Sequence, residues 1–74
     1  MSTQGDRLRR ARIAAGFQSA SDAAARHGWS VNTYKSNENG NAPFSFRKAK
    51  EYGHAFGVRP EWLYDGTGAM RASG

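Results

Sequence analysis

Residues 19–40 read SASDAAARHGWSVNTYKSNENG, two short helical patterns on either side of a glycine, Gly28. The first, Ala20–His27, is expected to start at a cap on Ser19, with Asp22 three residues on completing a capping-box-like pair. Gly28 adopts the left-handed backbone without a Cβ penalty, which ends that helix and redirects the chain. The second segment, Val31–Asn39, is capped by Ser30 and stopped by Gly40. Ala24 lies one turn before Gly28, where a small side chain lets the two helices cross closely. Tyr34 stands six residues beyond Gly28, placed to pack its apolar body back onto the first helix. With Tyr34 inward, Val31, Asn32, Thr33, Lys35 and Ser36 fall on or near the outward face of the second helix's beginning. They are short or polar, and uncharged apart from Lys35.

The same glycine punctuation continues outward at Gly16, Gly57 and Gly66. A helix over residues 6–15 aligns Leu8, Ala11 and Ala15 at i, i+3 and i+7, with the arginines elsewhere. Arg7, Arg9, Arg10 and Arg12 then read as a solvated face. Phe46–Phe56 forms a fourth helix, capped by Ser45 and stopped by Gly57, although Gly53 inside it costs about 1 kcal/mol against Ala. A short fifth helix starts at Pro60, suited to a first helical position, and carries Trp62 and Leu63 inward. No segment alternates long enough to be a strand, so the fold class is all-α, a five-helix bundle. Residues 1–5 are expected to be a flexible N-terminus, 6–67 the domain, and 68–74 a tail or the start of a linker. Phe17, Trp29, Tyr34, Phe46, Tyr52, Phe56, Trp62 and Tyr64 read as core. Trp29, in the turn, is expected to be partly exposed.

At 74 residues the chain is one small domain. Such a domain buries only about 60% of its unfolded surface, which leaves little room for a deep active-site pocket. Cysteine is absent, which excludes disulfides, thiolate catalysis and cysteine-ligated zinc. No apolar run approaches the ~20 residues of a membrane span, and the first sixteen residues lack a signal-peptide core. The expectation is a soluble, cytoplasmic, nucleoid-associated protein. His27 and His54 have no companion ligands nearby, and Ser, His and Asp are scattered without triad spacing. No metal, no cofactor and no enzymatic activity are expected. The net charge of +5 and isoelectric point near 10.3 favour a polyanionic partner, nucleic acid before anionic lipid.

The residues at the start of the third helix suit base edges. Asn can bond both edge groups of an adenine, and Val or the Thr methyl can touch a thymine methyl. The helix starts at Ser19 and Ser30 offer free backbone N–H groups, which favour phosphate. Arg12-Ile13 before Gly16, Ala24 with Gly28, Glu38-Asn39-Gly40, and the run from Phe56 to Leu63 (FGVRPEWL) recur in one order in a known family. Over roughly residues 7–67 the sequence resembles the lambda- and 434-type phage repressor DNA-binding domains, five-helix proteins built on a helix-turn-helix.

The resemblance implies that the helix after Ser30 is a recognition helix lying in the major groove. By position, Val31, Asn32, Thr33 and Ser36 would contact bases. Ser19, Ala20, Ser30, Lys35 and Arg47 would contact the DNA backbone. Arg12 and Glu38 occupy positions that commonly form an ion pair, and Arg59, Pro60 and Trp62 lie where the family makes its dimer contact. The implied protein is a transcriptional repressor that binds double-stranded DNA as a weak homodimer on a roughly palindromic operator. The alternative is an antitoxin-like protein-interaction module on the same fold. Three features depart from the family's pattern. One extra residue sits within Phe17–Ser19, and Asn37 and His27 stand where apolar residues are usual. Each of these two is either a satisfied polar group or a weak point in the core.

Overall fold

The computed structural model describes residues 3–71, and within them the chain is entirely helical, without strands. The order is α1 (Gln4–Ala14), α2 (Ala20–His27), α3 (Val31–Asn39), α4 (Phe46–Phe56) and α5 (Pro60–Asp65). Each of α2, α3 and α4 starts on its expected serine. Ser19, Ser30 and Ser45 each accept the amide of the residue three places on, at 3.0, 3.4 and 3.3 Å. At Ser19 the cap is one-sided, because the Asp22 side chain does not return the bond.

The start of the chain differs from the sequence expectation. α1 begins two residues early, because Thr3 and Asp6 form a reciprocal capping box that satisfies two otherwise orphaned amides. Gln4 and Gly5 therefore belong to the helix rather than to a flexible N-terminus; Met1 and Ser2 lie outside the described residues. At the other end, Met70 packs partly against the core and its carbonyl accepts the Arg59 amide at 2.9 Å. The expected loose tail is thus docked as far as Met70, and residues 72–74 lie outside the described residues.

α1 packs against each of the other four helices, α3 lies between α1 and α2, and α4 pairs with α5. The core is Leu8, Ala11, Ala23, Ala24, Tyr34, Phe44, Ala49, Tyr52, Phe56, Val58, Trp62 and Leu63. Its centre is aromatic. The Trp29 ring stacks on His27 at 4.5 Å and on Tyr34 at 5.6 Å, and meets Tyr52 edge-on at 4.7 Å. Trp29 is half-buried, as expected for the turn. Phe46 and Tyr64 are not core. They stand 38% and 42% exposed and pair edge-to-face with each other on the surface. Gly53 has a structural reason, since a methyl there would sit 2.7 Å from the Val58 carbonyl oxygen.

The α1 stripe also differs from expectation. Ala15 is the exposed C-cap, whereas Arg7 and Arg12 are buried beside Leu8 and Ala11. Only Arg9 and Arg10 form the solvated face. Arg7 caps the end of α5, donating to the carbonyls of Leu63 and Tyr64, each at 3.2 Å. A cation there meets the carbonyls that α5 leaves unpaired and the negative end of its dipole. No helix among the described residues is long and apolar enough to cross a membrane.

Candidate nucleic-acid interface

The helical period sorts α3 into two faces. Tyr34, Asn37 and Glu38, spaced i, i+3 and i+4, are buried. Asn32, Thr33, Lys35 and Asn39 are exposed, and Ser36 is half-buried. Val31 lies between the faces and packs partly against the core. The first turn of α3 therefore faces outward, with Asn32 and Ser36 one turn apart on the open side. Trp29 donates its amide to Ala24 at 2.8 Å and Gly28 to Ala25 at 3.3 Å, so the α2–α3 corner is tied by backbone bonds rather than left to side chains.

The inner face of α3 is held by polar contacts. Arg12 Nε donates to Glu38 Oε2 at 2.7 Å and Nη2 to Oε1 at 3.4 Å, with both side chains under 10% exposed. The expected ion pair is present, and it is more elaborate than expected. A third bond from Arg12 reaches the Phe17 carbonyl at 3.0 Å, and Arg9 approaches the same carboxylate at 3.6 Å. α2 starts at Ala20, directly after its Ser19 cap, with the α1–α2 loop tied to α1 through the Phe17 carbonyl.

The polar side chains of buried Asn37 and half-buried His27 both have partners. Asn37 accepts from the Tyr52 hydroxyl at 2.7 Å and donates to the Ala42 carbonyl at 2.8 Å. His27 Nδ1 lies 2.9 Å from the Ala23 carbonyl. Burial, followed by the Glu51 carboxylate, pushes the Tyr52 phenol up to about 12. The Tyr34 phenol is raised further, by burial and then by the neighbouring Glu38 carboxylate, while its hydroxyl makes no hydrogen bond of good geometry.

Of the residues matched to backbone contact, Ser30, Lys35 and Arg47 are exposed, while Ser19 and Ala20 are half-buried at the start of α2. Arg47 stands in the first turn of α4. Arg59 is exposed and paired with Glu61 at 3.0 Å, and Pro60 is half-buried beside it. Trp62 is only 8% exposed and lies beneath the Arg10 guanidinium. Its indole is core, so the accessible part of the expected dimer contact is Arg59 and Pro60.

Sequence reasoning missed Gln4, Gly5 and Arg7, all on the inner side of α1. The Thr3–Asp6 spacing was a usable signal for the first two. Comparison with family models, curated proteins and solved structures found no match.

Proposed function

We propose that this chain binds double-stranded DNA sequence-specifically, as a transcriptional repressor of the lambda/434-type helix-turn-helix kind, with α3 in the major groove. The observation that carries the reading is the division of α3. Its inner face is consumed by Tyr34, Asn37 and Glu38, while its first turn offers Asn32 and Thr33 outward, with half-buried Ser36 one turn on. These are small hydrogen-bonding side chains without net charge, the type that reads base edges. Lys35 is the one cation that α3 itself exposes. Lys35, Arg47 and Arg9 are exposed, and the whole chain carries +5, which suits phosphate neutralisation.

In this reading Asn32 and Ser36 face bases, with Val31 and Thr33 at the margins. Ser19, Ala20, Ser30, Lys35 and Arg47 meet the backbone. A weak homodimer through Arg59 and Pro60 sets two recognition helices about 34 Å apart, one turn of duplex. Selection of bound sites from a random duplex pool tests the proposal. The expected result is enrichment of a roughly palindromic site with half-sites ~10 bp apart. Asn32→Ala should then weaken binding by about 1–3 kcal/mol and relax preference at one base position. A pool that never enriches, or equal loss by Asn32→Ala on selected and random duplexes, contradicts it.

A further inference from the structure

Two side-chain amides grip the connection between α3 and α4, Gln4 at Phe44 and Asn37 at Ala42. The Gln4 amide meets both backbone groups of Phe44: Oε1 accepts the Phe44 N–H at 2.9 Å, and Nε2 donates to the Phe44 carbonyl at 3.0 Å. The same Nε2 also reaches the Tyr64 carbonyl at 3.1 Å, so the clamp is anchored to the end of α5. Two residues earlier, Asn37 holds the Ala42 carbonyl at 2.8 Å while Tyr52 holds Asn37. The Ala42 amide returns to Ser36 at 3.1 Å. Pro43 lies between the two clamps and Phe44 is buried under them.

A surface connection has no general need of such fixing. Water can satisfy its backbone, and most connections stay mobile. Ordering one residue costs roughly 1–2 kcal/mol of conformational entropy, a cost this connection has already met before any partner arrives. Ser45, the cap of α4, comes directly after Phe44, and exposed Arg47 stands two residues further on.

We infer that Gln4 and Asn37 are positioning residues that hold the start of α4 at a fixed offset from α3, so that Arg47 meets a phosphate while α3 reads the groove. This rests on the DNA-binding reading and deepens it. Neither side chain touches DNA. Asn37 is buried, and the Gln4 amide is fully engaged with backbone. Gln4 acts through Arg47, and Asn37 does so through its bond to Ala42 while its bond to Tyr52 also steadies α3.

The test is a cycle of Gln4→Ala, Arg47→Ala and the double variant. Binding to a selected-site duplex and to a random duplex of equal length is followed by fluorescence anisotropy from 50 to 200 mM salt. Each variant is first confirmed folded by circular dichroism at the assay temperature. Each phosphate contact contributes about 0.9 to the slope of log affinity against log salt. Gln4→Ala is expected to lower the slope by about that amount, as Arg47→Ala does. The wild-type advantage then shrinks about 3.5-fold across this salt range. The double variant should lose no more slope than Arg47→Ala alone. Asn37→Leu, which releases the connection at Ala42, should give the same slope and serves if Gln4→Ala does not fold. An unchanged slope, or losses that add in the double variant, overturns the inference while leaving the DNA reading standing. Absence of binding by the wild-type chain removes both.

Discussion

Gly5→Ala should destabilise the domain, although it places the best helix former inside a helix. Gly5 stands in the first turn of α1 against the last turn of α3. A methyl there would overlap the Glu38 carbonyl oxygen, and would lie 2.9 Å from the Glu38 carbonyl carbon and 3.1 Å from the Asn37 carbonyl oxygen. The overlap with the carbonyl oxygen is the tightest of these, and bringing it to van der Waals distance requires the two helices to part by roughly 1 Å. The obstacle is backbone, and no side-chain rotation relieves it. The two effects have opposite signs. Ala gains about 1 kcal/mol in helix propensity, whereas overpacking costs typically 1–3 kcal/mol. The clash wins here because its obstacle is rigid backbone and parting α1 from α3 also stretches the Arg12–Glu38 pair beside it, which puts the cost in the upper part of that range, about 2–3 kcal/mol. The expected net loss is about 1–2 kcal/mol. With stability near 0.05–0.15 kcal/mol per residue, that is a sizeable share of the total for a small domain. Urea unfolding followed by the fluorescence of Trp29 and Trp62 reads it directly. At a denaturant slope of about 1 kcal/mol per molar, the midpoint falls by about 1–2 M. A Gly5→Ala midpoint at or above that of wild type refutes the reasoning.

The Arg12–Glu38 pair should behave as a unit. Arg12→Met or Glu38→Met alone should cost about 3–5 kcal/mol by stranding a buried charge, while the double variant recovers most of the loss; single losses that simply add in a urea titration contradict this. Alkaline pH should weaken the fold through Tyr52 and Tyr34. Their phenols are raised above the unfolded value of 10, so the native state prefers the protonated forms, and stability is full below pH 10 and falls as pH rises toward 12. For Tyr52 alone the decline is about 2–3 kcal/mol. Urea midpoints measured from pH 8 to 12 should show it, Tyr52→Phe should reduce it, and a flat profile rules it out.

The caps and stops were legible because they are local chemistry. Ser19, Ser30 and Ser45 with Gly28, Gly40 and Gly57 each act within four residues of themselves, so the bounds of α2, α3 and α4 can be read directly from the string. The start of α1 was not read correctly, because Gly5 looked like a loop residue. Its small size answers to Glu38 across the core, a relation visible only when the helices are placed. The outward set at α3 was accessible from one inward anchor, Tyr34, plus the helical period. Arg7, Gln4 and Asn37 were harder. A buried polar side chain has no periodic signature of its own, and what satisfies each is a backbone carbonyl or hydroxyl from a distant element. Phe46 and Tyr64 failed in the opposite direction. Aromatic character suggests burial, but this small core is already filled by Tyr34, Phe44, Tyr52, Phe56 and Trp62.

The polar seam under α3 is not needed for stability alone, since an apolar seam of equal volume would be as stable or more so. Apolar burial is non-directional and leaves a helix free to roll about its axis. Hydrogen bonds hold within a few tenths of an ångström and a narrow range of angles. On the DNA-binding reading this difference matters. A roll of about 20° at a side-chain radius of roughly 5–6 Å carries the tip of Asn32 about 2 Å sideways, well beyond what a base contact tolerates. Glu38, held by Arg12, and Asn37, held by Tyr52, suppress that roll from two sides of the helix. The Arg12→Met/Glu38→Met double variant separates orientation from stability. It should unfold near the wild-type midpoint, yet discriminate less between a selected site and a random duplex, with the loss confined to the selected site. Undiminished discrimination by that variant would show that apolar packing alone orients α3, and the seam would then have no role in recognition.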